Sequence, residues 1–227
     1  MDSATQVVDA HYHLWSPESH PWLQDLQPLP EGVEKLDFSR IADAFDAQQH
    51  LDLLHQAGLH CIQGVYVQCG WHGDPVGETE WATQAGKKGT AVVGYADVDK
   101  PDVLRDQLAR HRQHPRFRGV RFMLDWDPER PGLRQTSRSG WMQDPGFVRG
   151  LGVLEATRGE VSFDLQICQC QLVEAAQLAL RFPSLTFVLN HAGFPLGNAR
   201  DDGACVHTFV VCTRKALQRC WLNGGRV

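Results

Sequence analysis

The chain has 227 residues, enough for one well-cored domain, and its net charge of −5 is spread over mixed acids and bases. That balance excludes the basic footprint of a nucleic-acid or anionic-membrane binder, and no apolar run approaches the ~20 residues of a bilayer span. The first six residues hold no basic segment or long apolar core, and seven irregularly spaced cysteines point to reduced thiols, so a soluble, cytoplasmic protein is expected.

Val7-Val8-Asp9-Ala10-His11-Tyr12-His13 predicts a first strand that ends in His-x-His. Side chains alternate along a strand, so His11 and His13 share a face and make half a metal site. A chance pair on a half-exposed edge is the competing reading. A proline-rich loop from Leu14 to Asp37 follows, too long for a tight connector. Ser39 is the expected N-cap of a first helix whose apolar face runs through Ile41, Ala44, Phe45, Gln48, Leu51 and Leu54, with Gly58 at its end.

Cys61 to Gln68 predicts a second strand, Glu78 to Lys88 a helix of poor periodicity, and Ala91 to Ala96 a third strand. Leu104 and Leu108 mark a helix that stops before Pro115, and Gly119 to Leu124 form the fourth strand. A polar loop rich in Pro and Arg occupies Asp125 to Pro145. Phe147, Leu151 and Leu154 then share one helix face, and Val161 to Ile167 form the fifth strand. Leu172, Ala175, Ala176, Ala179 and Leu180 give the next helix face, and Leu185 to Leu189 the sixth strand, which runs into Asn190-His191-Ala192-Gly193.

This alternation predicts a parallel sheet, either doubly wound or closed as a barrel. In both, functional residues gather at the carboxyl ends of the strands. His11, His13, Gln68, Asp164 and His191 all occupy such ends.

Six segments carry a resemblance in one order: Asp9-Ala10-His11-Tyr12-His13-Leu14-Trp15, Glu78-Thr79-Glu80-Trp81, Val93-Gly94-Tyr95-Ala96, Gly119-Val120-Arg121, Ser162-Phe163-Asp164-Leu165-Gln166 and Val188-Leu189-Asn190-His191-Ala192-Gly193. The series resembles the amidohydrolase-2 family of metal-dependent barrel hydrolases, nearest its sugar-lactonase-like branch. The resemblance implies an α/β fold of the (β/α)8 TIM-barrel type, here incomplete, with about six βα units in residues 1–200. It also implies a divalent metal, zinc in the first place, held by His11, His13 and His191, and a small lactone or similar cyclic ester as substrate. Decarboxylation of a small unsaturated acid on the same fold is the alternative reaction. A non-catalytic chain that acts only by binding is the rival from another class.

The family's strand-eight aspartate has no counterpart here. Residues 201–227 form an atypical tail with three of the seven cysteines, expected as an alternative ending of a longer reading frame; one strand and a helix of a short variant is the competing reading. With three neutral ligands, weak metal binding and little turnover are expected. Asp164 is the only matched strand-end carboxylate, so it is the catalytic candidate, with a supporting hydrogen-bond acceptor as the equal alternative. Arg121 and Gln68 are the substrate-binding candidates; for Arg121, a buried structural ion pair competes evenly. Cys168 and Cys170 are expected as buried thiols. His20, His50, His55, His60, His72, His111, His114 and His207 have no matching context, so surface or satisfied positions suffice for them. Open strand edges of an incomplete barrel would need cover from the tail or another copy of the chain.

Overall fold

Parallel strands cannot be joined by tight turns, and here each of the first five is followed by a helix before the next strand begins. The computed structural model describes residues 4–20, 22, 41–87 and 89–195 and the backbone of 220–222. In chain order the elements are β1 (Thr5–Tyr12), α1 (Ala47–Gln56), β2 (Leu59–Val67), α2 (Pro75–Ala85), β3 (Ala91–Tyr95) and α3 (Pro101–His111). There follow β4 (Phe117–Met123), α4 (Pro145–Glu155), β5 (Ser162–Gln166), α5 (Leu172–Arg181), β6 (Phe187–Leu189) and β7 (Cys220–Leu222). Five βα units and further parallel strands make an incomplete fold of the (β/α)8 TIM-barrel type. The chain forms two compact units, one of Met1–Tyr95 with Ala109–Arg118, the other of Ala96–Leu108 with Gly119–Val227.

In the first unit β1 pairs with β2, and β2 with β3, all in parallel. The β1–β2 register shifts between Asp9 and Tyr12, so an irregularity falls on the segment that carries His11. Such irregularities re-aim side chains at strand ends. Tyr12, Leu14, Tyr66, Ala82 and Val92 form the core beneath, with Phe45 and Trp81 packed against it.

The first helix starts later than the pattern of apolar residues predicts. Asp46 accepts from the backbone N–H of Gln49 at 2.8 Å, and Gln49 Oε1 accepts from the Asp46 N–H at 2.8 Å. This capping box fixes the start at Ala47. Phe45, expected on the helix face, is extended instead and exchanges both backbone hydrogen bonds with Trp15, at 2.9 and 3.1 Å. Ser39 and most of the proline-rich loop lie outside the described residues. The second helix begins at Pro75, three residues before its expected start, because Asp74 caps it.

In the second unit β4, β5, β6 and β7 pair in parallel, with Arg121 opposite Asp164 and Asp164 opposite Val188. Phe147, Phe163 and Phe187 stack edge to face in sequence, each neighbouring pair 5.9 Å apart between ring centres. Asp144 caps α4 through the backbone N–H groups of Gly146 and Phe147. Helix α5 buries Leu172, Ala175 and Leu178, whereas Leu180, expected on the apolar face, is 63% exposed. Within the tail, β7 supplies one strand beside β6. The apolar run at 209–212 lies outside the described residues. Among those residues no helix is long and apolar enough to cross a membrane.

Candidate active site

The end of β1 brings His11 and His13 together. Their Nε2 atoms lie 3.2 Å apart, with the rings nearly perpendicular at 87°. His13 Nδ1 lies 2.6 Å from the Val67 carbonyl oxygen. A carbonyl can only accept, so Nδ1 carries the proton and Nε2 presents its lone pair. Two nitrogens bound to a tetrahedral ion at ~2.0–2.1 Å stand about 3.3 Å from each other. The pair therefore fits two corners of a zinc-like coordination sphere.

Asp9 supports this geometry from two sides. Its Oδ1 accepts from the His11 backbone N–H at 3.2 Å, and its Oδ2 lies 2.9 Å from His50 Nε2. Burial alone would raise the Asp9 carboxyl, but the His50 and His11 hydrogen bonds outweigh it and hold the group below the usual carboxylate range. His50 also stacks flat on Tyr12, 4.3 Å between ring centres. His50 stands on α1, 41 residues from Asp9, and no local pattern singles it out.

Gln68 is buried just beyond β2. Its backbone N–H bonds to the Val93 carbonyl at 2.8 Å, and its Oε1 accepts from the Gly70 N–H at 3.1 Å. The side-chain oxygen thus shapes its own turn.

Arg121, Asp164, Gln166 and Asn190 form a buried polar set in the second unit. Arg121 Nη1 donates to Gln166 Oε1 at 2.8 Å, and Asn190 Nδ2 donates to Asp164 Oδ2 at 2.9 Å. Burial pushes the Asp164 carboxyl up to about 6, against the Asn190 hydrogen bond, the Arg121 charge and a Ser162 hydrogen bond. Asp125, fully buried beyond β4, is likewise pushed up to about 6 by burial, partly offset by its own N–H, by Gln166 and by Arg121. The sequence pattern assigns Asp125 to a polar loop, so this second raised carboxyl is a candidate that sequence reasoning missed.

His191 follows β6 in a short turn, Asn190–Gly193. It adopts φ 51°, Ala192 φ 53° and Phe194 φ 48°. Left-handed backbone at non-glycine residues costs ~1–2 kcal/mol each and clusters at functional sites. The packing around its ring, and then the Arg121 charge, hold the His191 imidazole below its ordinary value. Like the His11–His13 pair in the first unit, His191 stands at the carboxyl end of its strand. Cys168 is buried as expected, but Cys170 is exposed.

A family model described as Amidohydrolase matches residues 8–204. The uncharacterized protein y4mH of Sinorhizobium fredii is 32% identical over 201 residues, 82% of this chain and 62% of that protein. The chain thus spans less than two thirds of that relative's length. The L-fucono-1,5-lactonase of Burkholderia ambifaria is 26% identical over 232 residues, covering 96% of this chain and 69% of that enzyme. Among solved structures, an amidohydrolase of Burkholderia multivorans gives a TM-score of 0.67 in crystals with bound HEPES and 0.64 in crystals with bound zinc. Both matches are 22% identical and cover 95% of this chain and 68% of the other. At that identity the likeness is one of fold.

Proposed function

This chain belongs to the amidohydrolase family, and on that premise we propose that it is a hydrolase opening the ring of a sugar-acid lactone or a similar small cyclic ester. The observation that carries the reading is the imidazole pair, with Nε2 atoms 3.2 Å apart and the His13 tautomer set by Val67. The lactonase relative and the zinc-containing crystals of the fold neighbour support it.

His11 and His13 would hold a divalent metal, with zinc suited to neutral imidazoles. Bound there, such an ion supplies Lewis acidity toward a carbonyl and acidifies a coordinated water. Asp164 is the proton carrier: a carboxyl at about 6 is ionised at neutral pH yet basic enough to take a proton, and Asn190 orients it through Oδ2. Arg121, oriented by Gln166, offers its planar guanidinium to substrate hydroxyls or a carboxylate.

The test is a panel of five- and six-membered sugar-acid lactones, with acid release followed by a pH indicator in the presence of zinc. Slow turnover is expected, falling ~10²-fold or more in Asp164→Asn and also lost in His11→Ala. No turnover across the panel, or turnover untouched by His11→Ala, overturns the reading.

A further inference from the structure

A second set of ligand-type side chains lies in the first unit, away from the imidazole pair in chemistry. We propose that His20, Cys69 and Glu78 form a divalent-metal site of one imidazole, one thiolate and one carboxylate, suited to zinc or cobalt. One ligand atom from each lies within 4.8 Å of the other two, and His20 Nε2 is 3.7 Å from Glu78 Oε1. Edges of a tetrahedral site with N, O and S ligands run to about 3.3–3.6 Å, so closing on an ion asks for side-chain shifts of about 1 Å.

Two of these groups each keep one buried atom without a hydrogen-bond partner among the described residues. His20 is 0% and Glu78 1% exposed. The Ser16 backbone N–H donates to His20 Nδ1 at 3.1 Å, with the Ser16 carbonyl oxygen 3.2 Å from the same atom, while Nε2 has no hydrogen-bond partner among the described residues. Glu78 Oε1 accepts from Tyr66 Oη and from the Cys69 N–H, both at 2.7 Å, while Oε2 has no hydrogen-bond partner among the described residues. Buried polar atoms are almost always satisfied, and two ligand-type atoms left over in one cluster suit a bound ion. Binding an ion at Nε2 would move the ring proton to Nδ1, where the Ser16 carbonyl at 3.2 Å can accept it.

Charge decides which ion fits. Trp71 and Trp81 set their edges against His20, 5.4 and 5.2 Å between ring centres, so the surroundings are aromatic. An uncompensated ion there is costly, but thiolate and carboxylate together cancel a divalent charge. The Cys69 thiol, which donates to the Leu14 carbonyl at 3.3 Å, loses its proton to solvent as the metal–sulfur bond forms. Soft thiolate with imidazole selects zinc-like ions over magnesium or calcium.

Sulfur makes the test specific, because the His11–His13 pair has none. Cobalt(II) titrated into the metal-free full chain should raise a thiolate-to-cobalt charge-transfer band in the near ultraviolet, saturating at one equivalent. Cys69→Ser should abolish the band, Glu78→Gln should weaken cobalt binding more than tenfold, and His11→Ala should leave it intact. Circular dichroism checks that each variant is folded. Zinc should also slow alkylation of Cys69 in the unaltered chain at least tenfold, with exposed Cys170 as the internal control. Absence of the band, its survival in folded Cys69→Ser, or Cys69 alkylation unchanged by zinc overturns the proposal. Because none of these readouts is turnover, failure here is separable from failure of the lactonase reading.

Discussion

His50 Nε2 lies 2.9 Å from Asp9 Oδ2, which ties the start of α1 to the strand that carries the imidazole pair. The same carboxylate holds the His11 backbone N–H, so His50 acts on His11 through Asp9. Groups that orient metal ligands in this way typically contribute ~10–100-fold to metal affinity. His50→Ala is therefore expected to weaken zinc binding at the pair by about that factor, read by competition with a chromophoric chelator in a Cys69→Ser background. His50→Gln, which keeps a donor, should recover part of the loss. Equal affinity in all three proteins would reduce His50 to a packing residue.

Folding stability should carry the signature of Asp164. Its carboxyl sits at about 6 in the folded chain against an ordinary 3.8, so between those values the folded state binds more protons than the unfolded one. This contribution is fully present below pH ~4 and is lost as pH rises through ~6, a span of about 3 kcal/mol. His111 has the opposite slope: burial first, opposed by its bond to the Tyr95 carbonyl, leaves its imidazole at about 4, so folding gains stability as pH rises from ~4 to ~6.5. The unaltered chain shows the sum. Asp125, also held at about 6, adds a second falling component that Asp164→Asn keeps; the variant removes only the Asp164 part, so urea unfolding at pH 4, 5 and 6 should show its stability rising relative to the parent. A constant difference between the two proteins across that range would contradict the raised value.

What the sequence made legible was whatever repeats locally. The strands followed from β-branched runs, and the shared face of His11 and His13 followed from the two-residue period of β1. The start of α1 was legible too, since Asp46-x-x-Gln49 is a capping-box signature, but Ser39 offered an earlier cap and the apolar periodicity ran through Phe45. Only the Trp15 bridge, a tertiary contact, explains why Phe45 is extended. His20, Cys69 and Glu78 span 58 residues and meet through burial, which no spacing encodes. Asp125 was hidden differently: a polar run rich in Pro and Arg follows it, yet the residue is fully buried and its carbonyl accepts from the Gln135 N–H at 3.1 Å.

Two glycines on α4 should respond to alanine with opposite sign. A Cβ at Gly150 would fall inside the van der Waals radius of the Val98 carbonyl oxygen, a backbone atom that cannot swing aside. Gly146, one turn earlier, meets the Asp99 carbonyl in the same way, so the helix comes close to the chain beyond β3 at both glycines. Gly152 has nothing within 4 Å of where its Cβ would stand. Gly150→Ala must push the helix off its support, and overpacking of that kind costs ~1–3 kcal/mol or more. Gly152→Ala removes backbone freedom from the unfolded chain and improves helix propensity, for a gain of ~0.4–1 kcal/mol. Urea unfolding of the two variants beside the parent measures both. If Gly150→Ala proved neutral, α4 would have room to shift, and the close approach to Val98 would not be what holds it in place.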